Sequence, residues 1–157
     1  MKDIALYETG DGGDLLINNN DLSSTEILIH QVYLCLFGGN VESDTKGNEL
    51  KSQIRDDWWA NSLIFKNRIK KQFNSRTERT LNKVVLNSSG RIEIENSVKE
   101  DLKDFTKIIS LSVSVKIPSP DRVDILISLK EKENKEQKTL QFIWDNAKKE
   151  IILNKDL

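Results

Sequence analysis

The chain has 157 residues, 37% of them hydrophobic and 31% charged, with a formal net charge of −1. That balance argues against a protein built wholly around nucleic acid or an anionic membrane. One cysteine, Cys35, allows no intrachain disulfide and no thiolate metal site. No apolar run reaches the roughly 18 residues of a membrane span. The first ten residues, "MKDIALYETG", lack a signal-peptide apolar core, which points to a cytoplasmic chain. Length alone favours one domain.

Charge is uneven. Residues 1–22 hold five acids (Asp3, Glu8, Asp11, Asp14, Asp21) against Lys2, a balance of −4. Residues 66–83 hold seven bases (Lys66, Arg68, Lys70, Lys71, Arg76, Arg79, Lys83) against Glu78, a balance of +6. Such blocks attract each other within a chain or between copies.

"DIALY" and "DLLIN" are short apolar runs on either side of the turn-rich "ETGDGG", so a hairpin is expected over residues 3–18. Ser23-x-x-Glu26 has the spacing of a reciprocal N-terminal cap, and an apolar stripe follows through Leu28, Val32 and Cys35. Ile29, Tyr33 and Leu36 widen it, and Gly38-Gly39 stops it. A core helix is therefore expected over 23–37. Residues 38–61 read as a long polar loop ending on Asp57-Trp58-Trp59, the kind of loop a function or a partner orders. Residues 62–106 read as helical. Phe65, Ile69 and Phe73 recur at steps of four with bases between them, a basic amphipathic helix. Thr77, Leu81 and Val84 suggest a short helical piece. Ile94, Val98, Leu102, Phe105 and Ile109 mark a long helix from about Ser89.

The period then changes from helical to two. Ile109, Leu111, Val113, Val115 and Ile117 alternate with Ser110, Ser112, Ser114 and Lys116. Val123, Ile125, Ile127 and Leu129 repeat the pattern after "PSPD", and "LQFIW" and "EIILN" add two short strands. Residues 109–154 read as an antiparallel meander, apolar on one face. Helices before strands, without βαβ alternation, make the class α+β, with an N-terminal hairpin, three to four helices and a C-terminal meander.

Catalytic chemistry has little to work with. His30 is the only histidine, and Cys35 lies five residues on, about 500° around a helix, so the two point in different directions. Cys35 reads as a small buried hydrophobe. "GDGG" at 10–13 has neither a following helix nor a Lys-Ser/Thr, so it reads as a hairpin loop and not a phosphate loop. No enzyme, cofactor or metal is expected. Trp58 and Trp59 beside a basic helix allow a nucleic-acid or glycan platform. Asp56 and Asp57 repel phosphate, and tryptophan also favours protein–protein contacts.

The order "DIALYETGDGGDLLINNNDL", "SSTEILIHQVYLCLFGG", "RDDWWANS" resembles the Mu-type contractile phage baseplate family, small wedge proteins akin to sheath initiators. The elements that carry the likeness are Asp3 to Leu6, Gly13 to Leu15 and Asp57-Trp58-Trp59. The chain departs from the family at Ala60-Asn61, where Gly-Asp is more typical. It departs again at Phe105-Thr106-Lys107-Ile108, where relatives often carry Glu-Pro-Arg. The resemblance implies a non-enzymatic structural subunit of a virion or tail-like particle, assembled in the host cytoplasm and present in several copies of a symmetric baseplate. Its partners would be other wedge and hub proteins and the tail sheath protein, with neither membrane nor nucleic acid. Candidate interface residues are Asp57, Trp58, Trp59, Lys66, Lys70, Ile151 and Leu153, the last two on a C-terminal edge or donor strand. The other reading is a small nucleic-acid- or glycan-binding module that uses Trp58, Trp59 and the basic helix.

Overall fold

A computed structural model describes residues 2–4, 6–8, 13–15, 17–39, 63–65, 68, 71–131 and 137–156. The described residues are α+β, with three α-helices and antiparallel sheets among them. The chain divides into two compact units, Met1–Glu78 and Arg79–Leu157.

The first unit begins with short strands: β1 (Lys2–Ile4), β2 (Leu6–Glu8), β3 (Gly13–Leu15), β4 (Ile17–Asn18), β5 (Asp21–Leu22) and β6 (Ser24–Glu26). The turn-rich loop lies between β2 and β3, which pair antiparallel and close on Glu8 and Gly13. The expected single hairpin over 3–18 is otherwise divided. β1 pairs with β6, and β4 turns back on β5. Asn19 and Asn20 both have positive φ (52° and 62°), the two-residue turn that matches the twist of a hairpin. Asparagine tolerates that region better than most residues.

Helix α1 is Ile27–Phe37 and starts four residues later than expected. Ser24–Glu26 are taken by the ladder to Lys2–Ile4, so the helix begins beyond the expected cap positions Ser23 and Glu26. The pairing with β1 sets Lys2 opposite Glu26. Val32, Tyr33, Leu34, Leu36 and Phe37 are buried, so burial runs beyond the expected stripe. The helix ends where the glycines stand, with Gly39 at φ 104°. A Cβ on Gly38 would collide with the Leu34 carbonyl and lie 2.9 Å from the Phe73 Cβ.

Helix α2 is Arg76–Lys83. Its cap has the Ser-x-x-Glu spacing that sequence reading placed at Ser23. The Ser75 hydroxyl accepts from the Glu78 N–H at 3.1 Å and donates to the Leu36 carbonyl. The Ser75 N–H donates to the Gly39 carbonyl at 2.8 Å. Ser75 is fully buried, so one side chain caps α2 and ties it to the end of α1.

In the second unit, α3 (Ser88–Asp101) begins at Asn87, whose side chain accepts from the Gly90 N–H at 2.8 Å. Ile94, Val98 and Leu102 are fully buried, as their spacing predicts. The α-helix stops at Asp101 and a 3-10 turn, Lys103–Lys107, delivers the chain to the sheet. Thr80 and Ser97 join α2 to α3 through their hydroxyls at 2.7 Å.

The sheet is β7 (Ile109–Ser119), β8 (Arg122–Glu131), β9 (Gln137–Asp145) and β10 (Glu150–Asp156), in chain order and antiparallel throughout. Val123, Ile125, Ile127 and Leu129 of β8 and Leu140, Phe142 and Trp144 of β9 are buried in register. Helix α3 packs against β7. Ser110, Ser112 and Ser114 lie exposed on the opposite face. The expected meander over 109–154 is present, with its apolar face inward.

Candidate functional site

Residues 66, 67, 69 and 70 of the expected basic amphipathic helix lie outside the described residues. The Arg68 and Lys71 N–H groups donate to Phe65 and Arg68 carbonyls at 2.7 Å, three residues back in each case. Residues 73–75 are not helical. The Phe65 and Phe73 rings meet edge to face with centroids 6.4 Å apart. Arg68, Lys71 and Arg76 are exposed.

Asp57, Trp58, Trp59, Lys66 and Lys70 lie outside the described residues. The remaining two candidates, Ile151 and Leu153, are on β10, at one edge of the C-terminal sheet. A tight turn sets this strand. The Asp145 carboxylate accepts from the Ala147 and Lys148 N–H groups at 2.9 and 3.0 Å, and the Lys149 N–H donates to the Asp145 carbonyl at 2.8 Å. Lys149 takes φ 60° and Glu150 closes the pair opposite Asp145. Lys148 lies 3.4 Å from the Glu150 carboxylate. Ile151 is half-buried opposite Trp144. The register then slips by one residue, so that Leu153 stands opposite Ile143 and Ile152 is the inserted residue, 50% exposed. This bulge has no signal in the apolar run "IIL", because every residue of the run suits either face.

Trp144 was legible in sequence only as a member of "LQFIW". It is 3% exposed, and among the described residues its indole N–H has no hydrogen-bond partner. His30 and Cys35 are both half-buried on α1. Among the described residues no group of His, Cys, Asp and Glu could hold a metal ion. No helix among them is long and apolar enough to cross a membrane. What the arrangement offers is a surface: an edge strand with an exposed isoleucine at its centre and charged residues near both ends.

No protein-family model, no curated protein and no solved structure matches the chain.

Proposed function

We propose that this protein is a structural subunit of the baseplate of a contractile phage tail or tail-like particle, serving as a wedge component or sheath-assembly initiator. The observation that carries the reading is the edge strand β10, which ends an antiparallel meander and, among the described residues, has a neighbour on one side only. Edge strands of this kind accept a strand from a neighbouring subunit through main-chain hydrogen bonds. The ordered sequence elements from Asp3 to Trp59 supply the family resemblance. The role needs no catalytic residue. It needs a surface that repeats identically in each copy. Particle purification tests it: the protein should copurify with assembled baseplates, and deleting its gene should stop sheath polymerisation. Absence from purified baseplates, with tails assembling normally after deletion, would sink the idea.

A further inference from the structure

The edge strand favours one occupant over others. Among the described residues nothing pairs with the outer side of β10, and Ile152 lies half-exposed on it. An unpaired edge with a large apolar residue is a template for another strand. We infer that this occupant is β10 of a second copy, laid antiparallel across a two-fold axis, so that two four-stranded sheets join into one. The inference goes beyond the baseplate role and does not rest on it.

The first argument is charge. The strand reads Glu150-Ile151-Ile152-Leu153-Asn154-Lys155-Asp156. Antiparallel pairing with itself about a point between Ile152 and Leu153 sets Glu150 opposite Lys155, Ile151 opposite Asn154 and Ile152 opposite Leu153. The two-fold axis repeats each pair, as an isologous interface must. Opposite charges therefore meet twice, around an apolar centre. A slip of one residue either way loses this. One slip sets Glu150 opposite Asp156, and the other sets Lys149 opposite Lys155. Like charges directly opposite each other are destabilising.

The second argument is the bulge. Along an antiparallel pair, residues alternate between those hydrogen-bonded to the neighbour and those not. Only the second class points its N–H and C=O away from β9. Glu150 and Lys155 oppose Asp145 and Gln141, four residues apart on β9, so they belong to the same class. Ile151 and Asn154 oppose Trp144 and Phe142 and share the other class. In a regular strand, residues five apart fall into different classes. The inserted Ile152 restores the match. The register that charge selects is thus the one that lets the outward backbone groups meet, and both slipped registers fail this test as well.

The experiment uses the full chain in sedimentation equilibrium. The wild type should show a monomer–dimer equilibrium. Glu150→Lys alone and Lys155→Glu alone should each weaken it by on the order of tenfold, since each reversal places like charges opposite at two symmetric positions. An equimolar mixture of the two variants should recover the wild-type association as a heterodimer, because every Lys then meets a Glu. Ile152→Lys should abolish association, and far-UV circular dichroism should show each variant folded as wild type. A wild type that stays monomeric at all accessible concentrations overturns the inference. So does a dimer indifferent to both charge reversals, or a mixture that fails to recover. These outcomes leave the baseplate reading standing, because a heterologous strand could still take the edge.

Discussion

Ser75 concentrates three bonds in one residue. Its hydroxyl donates to Leu36 and accepts from Glu78, and its N–H donates to Gly39. All of this happens without solvent, since the residue is fully buried. Ser75→Ala removes the cap and leaves the Leu36 carbonyl and the Glu78 N–H without it. The expected loss is about 1–3 kcal/mol, read as a lower urea midpoint at unchanged slope. Asp104 gives a test of sign. Its hydrogen bond to Lys107 at 2.8 Å, with the charge of Lys107 and then Lys103, holds its carboxyl below the usual 3.8. A depressed carboxylate contributes stability that is full above its unfolded value and is lost as pH falls through its folded value. The difference between wild type and Asp104→Asn should therefore be constant above about pH 5 and shrink below 3.8. Denaturant midpoints measured across that range check this. The effect is small, because the pair is exposed.

Elements in this chain start and stop where caps and ladders allow. Helix α3 begins on the Asn87 side chain. Asn87→Ala should cost about 1 kcal/mol, whereas Asn87→Asp should cost little, since a carboxylate also caps and suits the positive helix end. Thermal melts of the two variants discriminate a capping role from mere packing. Helix α1 shows the opposite situation. The Ser23-x-x-Glu26 pattern is a good local cap, but Ser24–Glu26 form a ladder with a strand some twenty residues away in sequence. Local spacing cannot register such a competitor. The same limit applied at the 3-10 turn after Asp101. Periodicity carried the helix on through Phe105, and the chain there tightens before entering β7. The stop of α1 at Gly38-Gly39 was legible, because glycine ends a helix by its own conformational freedom.

At the scale of the molecule, the acidic block at 1–22 and the basic block at 66–83 give the proposed baseplate role a test of its own. Arg68 and Lys71 are exposed, so reversing both to Glu should leave the far-UV spectrum unchanged. Incorporation into particles should fall severalfold, measured as subunit recovered per baseplate against wild type. Normal incorporation of the double variant would assign the basic block to solvation alone. The sequence by itself determined what depends on neighbours a few residues apart: the α+β class, the period-two strands, their buried face, and the apolar stripe of α3. Those follow because side-chain direction repeats with fixed local periods. Tertiary structure alone decided which strand pairs with which, that the working Ser-x-x-Glu cap is at Ser75, and that β10 carries an extra residue. Each of these is settled by backbone groups distant in sequence competing for the same hydrogen bonds. The apolar run "IIL" satisfies either register, so only the ladder to β9 fixes where the bulge falls and which backbone groups β10 turns outward.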